Sequence, residues 1–370
     1  MSCFWNNRLK NLSPYIPGEQ TKDRQFIKLN TNENPYPPSP LVYEAIKKSV
    51  NEELRLYPDP ECTEFRQAVA GRFGVEPRQV FAGNGSDEIL GFAFGAFFES
   101  ERESPEVLFP DITYSFYPVY AGLWNIPVRK IPLCDDFCIN INDYMIPSGG
   151  VILPNPNAPT GIALPLDDIF SLAEYLKKQN KVLIIDEAYI AFGASASVQT
   201  AIPHINKYPN LLVVHTLSKS ASLAGLRTGF AVGSIELIEG LRRIRDSFNS
   251  YTLDRLALAG ASAAVSDIAY YDEVNRRVIA TRERVSITLK SFGFYVLPSS
   301  ANFVFIKPPN IGGASGASGA SGAAFAAALR DRGILVRHFN KERISDFLRV
   351  SIGTDQEMDC FLDVCKEIII

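Results

Sequence analysis

Five short runs of apolar residues, separated by segments with helical spacing, limit the folds open to this chain. The runs are residues 107–109, 128–131, 151–153, 182–185 and 211–215. A helical pattern at 167–178 lies between two of them. Continuous apolar runs this short are typical of strands buried on both faces. Their alternation with helices predicts an α/β fold with a mostly parallel sheet covered on both sides.

The pattern changes near residue 250, where a long helical region begins and continues to about 290. Strand-like segments at 303–306, 335–338 and 347–352 and a final helix follow. Because 370 residues are too many for one compact core, we expect two domains. The large one is 50–252, and a smaller α+β domain joins 253–370 to 1–49, whose first part lacks periodicity and forms an arm. The Gly/Ala/Ser repeat at 312–322 is typical of a flexible linker, and we assign it no function.

Composition excludes several classes of protein. A net charge of −4 leaves no basic face for nucleic acid or an anionic membrane. Six cysteines without a CxxC pair and only three histidines argue against a metal site and favour free thiols in a reducing compartment. The polar first twelve residues do not form a signal peptide, and the longest apolar run, 89–98, is shorter than the ~20 residues of a membrane helix. We expect a cytoplasmic protein.

Two charged residues directly follow predicted strands. Asp186 ends the run 182–185, and Lys219 follows 211–215 behind Ser218. Ligands of open α/β sheets bind beyond the carboxyl ends of the strands. Taken singly, the acid could be a helix cap and the lysine a solvated surface charge. The alternative is that the acid partners a buried cation and the lysine reaches a ligand.

Further polar segments fit a phosphorylated ligand. A predicted helix begins with Gly85, Ser86 and Asp87. Gly and Ser at such a start leave backbone N–H groups free for an anion. Arg227 adds a cation in a glycine-containing loop. Asn157 is either a residue of the turn 155–161 or an amide directed at a ligand hydroxyl.

Together these residues fit the chemistry of pyridoxal phosphate (PLP). A lysine forms a Schiff base with the aldehyde of this cofactor, a carboxylate keeps its ring nitrogen protonated, and a helix end holds its phosphate. Tyr114, which follows the run 107–109, is placed to stack on the ring.

The same residues resemble the fold type I PLP-dependent aminotransferases, and within them the histidinol-phosphate aminotransferases. The resemblance extends over nearly the whole chain, and its motifs occur in order at 12–15, 29–36, 57–59, 83–90, 186–189, 218–229, 300–303 and 348–354. It implies a large sheet domain with a smaller α+β domain. It also implies amino-group transfer between L-histidinol phosphate and 2-oxoglutarate in L-histidine biosynthesis.

The resemblance also implies a role for each matching residue. Lys219 would hold the cofactor and carry the proton of the 1,3-shift, Asp186 would pair with the ring nitrogen, and Tyr189 would bind the ring hydroxyl. Tyr114 would stack on the ring. The phosphate would be held by Gly85, Ser86, Asp87, Ser218 and Arg227. Tyr57 would reach the phosphate of the neighbouring subunit's cofactor, so a homodimer is expected.

The implied substrate-binding residues are Asn34, Arg337 and Arg349, with Tyr15 supplied from the neighbouring subunit's arm. Planar guanidinium groups suit phosphate and carboxylate. One position departs from the family pattern, which has Asn immediately before Pro-Thr-Gly. Because that position is Ala158 here, either Asn157 reaches the ring hydroxyl or Tyr189 binds it alone.

Other functions remain open from the sequence. An aromatic or broad-range aminotransferase and an L-threonine-O-3-phosphate decarboxylase would use the same cofactor-binding residues. A PLP-binding regulator is disfavoured because no helix-turn-helix segment or basic arm precedes the domain. A nicotinamide enzyme is disfavoured because no GxGxxG follows the first strand.

Overall fold

The computed structural model describes residues 3–6, 9, 12–15, 18–19, 26–101, 103–193, 198–309 and 322–370. Its strands are β1 (Ile27–Leu29), β2 (Val80–Gly83), β3 (Val107–Pro110), β4 (Val128–Ile131), β5 (Gly150–Pro154), β6 (Leu183–Asp186), β7 (Leu211–Thr216), β8 (Gly229–Val232), β9 (Tyr295–Val296), β10 (Phe303–Lys307), β11 (Ile334–His338) and β12 (Leu348–Ser351). Its α-helices are α1 (Pro40–Ser49), α2 (Thr63–Phe73), α3 (Gly85–Phe97), α4 (Tyr117–Trp124), α5 (Leu166–Lys177), α6 (Ile235–Phe248), α7 (Arg255–Ser266), α8 (Ile268–Ser291), α9 (Gly322–Asp331) and α10 (Asp355–Ile369).

Seven strands form the large sheet in the order β2-β8-β7-β6-β5-β3-β4. All neighbouring pairs are parallel except those of β8, which runs antiparallel to β2 and β7. Five strands form the small sheet in the order β1-β11-β12-β10-β9, where only β1 and β11 are parallel. The predicted α/β fold with a mostly parallel sheet is confirmed.

The continuous apolar runs arise because the large sheet packs on both faces. Along β6, Leu183 and Ile185 join one hydrophobic cluster, whereas Ile184 joins the cluster on the opposite face. Alternate residues of a strand point to opposite sides, so a doubly covered strand has no polar face. Each such buried aliphatic side chain stabilises the fold by roughly 1.5–3 kcal/mol.

The structure corrects several details of the predicted elements. Strands β2 and β8 were missed because each has only four residues and includes a glycine. The expected arm contributes β1, which pairs with β11. The long helical region is two helices, α7 and α8, separated at Asp267, which ends one and begins the next.

The Gly/Ala/Ser repeat lies outside the described residues, apart from Gly322 at the start of α9. All six cysteines are free thiols. None of the helices in the described part of the chain combines the length and the apolar character needed to cross a membrane. The domain limits at 49/50 and 252/253 stay a prediction.

Candidate active site

A cavity of about 310 Å³ opens where the carboxyl ends of β5, β6 and β7 meet the start of α3 and the small sheet. Residues from distant parts of the sequence line it together. Of those expected from the sequence, the lining includes Tyr15, Ser86, Asp87, Tyr114, Asp186, Tyr189, Ser218, Lys219, Arg227, Arg337 and Arg349. The edge of the sheet thus gathers the predicted charges in one place, as the rule for parallel sheets requires.

Lys219 lies just beyond β7 with its amine inside the cavity. Its Nζ donates a hydrogen bond to the backbone oxygen of Thr31 at 3.0 Å. Burial, reinforced by the positive charge of Arg349, lowers the pKa of this amine to about 8, while Glu33 opposes the shift. A larger share of the amine is therefore neutral near pH 7 than for an ordinary lysine, and the neutral amine is the nucleophile.

Asp186 is the last residue of β6 and is buried. Its Oδ2 accepts a hydrogen bond from the Tyr117 hydroxyl at 3.0 Å, and its Oδ1 accepts the backbone N–H of Ala188 at 3.2 Å. Burial raises the pKa of this carboxyl to about 6, against the lowering effect of the Tyr117 hydrogen bond. A cation placed beside the carboxylate would favour its charged form.

The start of α3 forms an anion cradle. Gly85 has a φ of +74°, and a Cβ there would lie 2.9 Å from the Arg227 guanidinium. A Cβ on Gly229 would lie 2.8 Å from the backbone nitrogen of Ser86. Both glycines let the helix start, with its free N–H groups, approach β8 and Arg227. Arg227 also contacts the Ser218 hydroxyl at 3.4 Å.

The side chain of Asp87, a residue expected to hold the phosphate, makes its contacts within the chain. Its carboxylate forms an ion pair with Arg227 at 3.2 Å and accepts a hydrogen bond from Tyr114 at 2.6 Å. A carboxylate repels an anion, so only the backbone N–H of Asp87 can serve a phosphate. The side chain instead positions the arginine and the tyrosine.

Arg337 and Arg349 are side by side in the small sheet, as register partners on the neighbouring strands β11 and β12. Arg349 donates to the backbone oxygen of Asn30 at 3.1 Å, and its buried Nε has no partner among the described residues. Burial and the charge of nearby Arg337 both lower its pKa. Among the described residues, no carboxylate lies within 4.0 Å of either guanidinium. Within the described part of the chain, nothing acidic neutralises the pair, and guanidinium groups suit an anion.

A buried polar network fixes Tyr189. Its hydroxyl accepts a hydrogen bond from the Asn32 amide at 3.0 Å, and Ser351 donates to the Asn32 oxygen at 2.9 Å. Asn32 has a φ of +54°, a conformation that Asn tolerates. Sequence reasoning did not single out Asn32 or Tyr117. The motif at 29–36 was the available signal for Asn32, whereas nothing in the sequence marked Tyr117.

Asn34 and Asn157, both expected at the site, are not among the residues that line the cavity. Asn34 is directed away from the cavity, because its amide donates to the backbone oxygen of Lys219 and its oxygen accepts Tyr36 N–H. The Asn157 amide nitrogen donates to the backbone oxygen of Ile112, beyond β3, at 3.0 Å and to the Thr160 hydroxyl of its own loop at 3.1 Å. Because this nitrogen already has two acceptors, Tyr189, which lines the cavity, is better placed than Asn157 for the ring hydroxyl.

Tyr15 lies at the cavity of its own chain, stacked on Phe116 at 4.3 Å, so it need not come from a neighbouring subunit. Tyr57 is 78% exposed and stacks on Tyr251 at 4.6 Å, away from this cavity. Exposure leaves Tyr57 accessible to a second chain, but its expected contact stays a prediction.

The site fits PLP on its own chemistry. A buried amine, a buried carboxylate and a glycine-built anion cradle occupy three sides of one cavity. These correspond to the aldehyde, the ring nitrogen and the phosphate of that cofactor. Tyr114, whose hydroxyl donates to Asp87, lines the same space.

Comparisons with known proteins agree with this geometry. Residues 24–364 match the family model described as aminotransferase class I and II. A histidinol-phosphate aminotransferase of Clostridium acetobutylicum is 53% identical, and one of Acetobacter pasteurianus is 51% identical, each alignment covering 100% of this chain and 99% or more of the relative.

Solved structures agree as well. A histidinol-phosphate aminotransferase of Sinorhizobium meliloti in complex with pyridoxal-5'-phosphate superposes with a TM-score of 0.86 at 24% identity, covering 100% of this chain and 98% of that one. An aspartate aminotransferase mutant of Thermus thermophilus superposes at 0.80 with 17% identity, covering 99% and 100%. At these identities the likeness concerns the fold.

Proposed function

The chain belongs to the class I and II aminotransferases, and we propose that it transfers an amino group between L-histidinol phosphate and 2-oxoglutarate in L-histidine biosynthesis. Relatives that are 48–53% identical over nearly the whole chain carry the name histidinol-phosphate aminotransferase. An enzyme of this family depends on PLP. When bound, PLP supplies an aldehyde that captures amino groups and a protonated ring that accepts electrons.

We assign the cofactor to the residues that surround the cavity. Lys219 would hold the aldehyde of the cofactor. Once a substrate amine replaces it there, the free lysine amine would carry the proton of the 1,3-shift. Asp186 would keep the ring nitrogen protonated, because an opposite charge stabilises the cation. Ser86, the Asp87 backbone and Arg227 would hold the phosphate at the helix start. Tyr189 would bind the ring hydroxyl, supported by Asn32.

The unpaired arginines are the observation that carries the substrate assignment. Histidinol phosphate carries a phosphate and no carboxylate, whereas glutamate carries two carboxylates, so one pocket must accept both kinds of anion. Guanidinium groups bind both, because their forked donors match carboxylate and phosphate oxygens. Arg337 and Arg349 are side by side with no acidic partner among the described residues. Tyr15 would close the pocket.

We also propose a homodimer and a cytoplasmic location. Leu54, Leu56 and Tyr57 are exposed next to one another, and Phe248 and Tyr251 are exposed as well. Large apolar side chains exposed together are typical of a surface covered by another chain. Measuring the mass of the protein in solution by light scattering tests the dimer, and a monomer at working concentration contradicts it.

A substrate panel tests the function. Purified protein with PLP is assayed with histidinol phosphate, phenylalanine, tyrosine and phosphothreonine, each with 2-oxoglutarate. We expect the highest kcat/KM for histidinol phosphate, with formation of glutamate. A preference for phenylalanine or tyrosine would indicate an aromatic aminotransferase, and release of carbon dioxide from phosphothreonine would indicate the decarboxylase. Either result contradicts the substrate assignment and leaves the family unchanged.

A further inference from the structure

Three tyrosine hydroxyls in the segment 114–120 are directed at the two carboxylates of the site. Tyr114 and Tyr120 donate to Oδ1 of Asp87 at 2.6 and 3.4 Å. Tyr117 alone donates to Asp186, at 3.0 Å from Oδ2. Asp87 also has the charge of Arg227, whereas Asp186 has, among the described side chains, no hydrogen-bond donor besides Tyr117. The Asp186 carboxylate therefore depends on Tyr117 for its side-chain hydrogen bond, whereas the Asp87 carboxylate has several partners.

The packing around Tyr117 leaves its hydroxyl little freedom to form a hydrogen bond with another acceptor. It is fully buried at the start of α4 and packs edge-on against Phe109 and Tyr114, with ring centroids 5.9 and 5.7 Å away. A buried hydroxyl without an acceptor is costly, so the hydrogen bond to Asp186 is strongly favoured. With Oδ2 fixed by Tyr117 and Oδ1 by the N–H of Ala188, the plane of the carboxylate is set.

We propose that Tyr117 is the positioning residue that orients the Asp186 carboxylate and keeps it ionised toward the ring nitrogen of the cofactor. The inference rests on the proposed function in one respect, namely that Asp186 faces the ring of the cofactor. A phenol that donates to a carboxylate favours its charged form, which opposes the effect of burial. Without the hydroxyl, the proton shared between the ring and the acid would move toward the acid.

Other groups also face Asp186, and their charges decide how the carboxyl titrates. Asp87 from α3 raises its pKa, and His215 from β7 lowers it. His215 is itself 2.8 Å from the buried carboxylate of Glu187. The phenols of Tyr114, Tyr120 and Tyr189 are close enough for Asp186 to raise their pKa values. Tyr117 exerts the largest lowering influence among them because it donates directly.

The first test compares Tyr117→Phe with Tyr144→Phe. Tyr144 is a matched control, since it is equally buried and its hydroxyl has no partner among the described residues. PLP is titrated into the full-length, cofactor-free chain, and the dissociation constant is measured. We expect Tyr117→Phe to weaken binding on the order of tenfold, the effect of losing one hydrogen bond to a charged group. Equal affinity of the two variants would overturn the proposal.

The second test uses thermal unfolding of the cofactor-free chain between about pH 5 and 8. Tyr117 stabilises the ionised carboxyl, so the Tm deficit of Tyr117→Phe should grow as pH rises and Asp186 ionises. The pH dependence of that deficit should vanish in an Asp186→Asn background, where no charge forms. A deficit that is the same at every pH, or one that persists unchanged with Asn, means a purely structural role and refutes the assignment.

Should Tyr117→Phe yield no folded protein, the double variant with Asp186→Asn decides. Recovery of folded protein supports the proposal, because the fault was then an unsupported buried carboxylate, and continued misfolding overturns it. These measurements involve no amino-acid substrate. A failed substrate panel would therefore contradict the proposed function without affecting the coupling between Tyr117 and Asp186.

Discussion

Gly229→Ala tests the close approach of β8 to the start of α3. A Cβ at this position would lie 2.8 Å from three backbone atoms: Gly85 C, His215 O and Ser86 N. Ordinary contacts of a Cβ are 3.4–4 Å, so the backbone must move apart by roughly half an ångström or more. Gly229 pairs with Gly83 on one side and Thr216 on the other, so the strand cannot move alone.

Overpacking of this kind costs about 1–3 kcal/mol. The displaced atoms include the Ser86 N–H that we assign to the cofactor phosphate, so the PLP dissociation constant should rise roughly ten- to a hundredfold. Gly225→Ala is the control, because its Cβ would meet nothing within 4 Å. Binding is measured by titration and stability by thermal unfolding. If Gly229→Ala behaves like Gly225→Ala in both, the close approach of β8 to the helix start is wrong.

The remaining predictions concern the charged groups of the cavity. Borohydride reduction of the PLP-loaded protein should attach the cofactor to Lys219, as found by peptide mass spectrometry, and Lys219→Ala should prevent it; another labelled lysine would exclude the assignment. Asp186→Asn should lower kcat by roughly 10²-fold, about 3 kcal/mol, and near-normal turnover would argue against its role. In the cofactor-free chain, burial raises the pKa of Asp186 to about 6. The wild type should therefore lose stability relative to Asp186→Asn as pH rises through that value, and urea unfolding of both proteins over this pH range measures the difference. Arg349→Ala should weaken both half-reactions about ten- to a hundredfold, whereas Arg337→Ala should affect mainly the phosphate substrate, with Arg337→Lys as the charge-retaining control.

The central strands of the parallel part of the large sheet were predictable because burial on both faces leaves an apolar run in the sequence. The run at 211–215 matches β7 to within one residue, and the run at 151–153 lies within β5. The edge strand β4 coincides with the predicted 128–131, although its Arg129 and Lys130 are exposed. The antiparallel strand β8 was not predictable, since four residues including a glycine carry too weak a pattern. Strand β1 was not predicted either, because its three residues are too few to form a pattern.

The site was predictable where a residue follows a strand directly, as Asp186 and Lys219 do. It was not predictable where the partner comes from elsewhere in the chain. Tyr117 is 69 positions from Asp186 in sequence, and only the packing of α4 against the sheet brings them together. The ion pair of the Asp87 side chain was not predictable either, because Arg227 is 140 positions away in the sequence.

The pairing of charges in the cavity explains how one lysine can serve two kinds of substrate. Asp87 is matched by Arg227, and Glu33 is matched by Lys28 at 2.6 Å. Among the described residues no carboxylate pairs with Arg337 or Arg349, so we expect a substrate anion to bind there. Arg349 is also the charge that, after burial, most lowers the pKa of Lys219. An anion bound at Arg349 offsets this influence and raises the basicity of the amine. We therefore expect Lys219 to become a better proton acceptor once a phosphate or carboxylate occupies the arginine pair, whichever half-reaction supplied it.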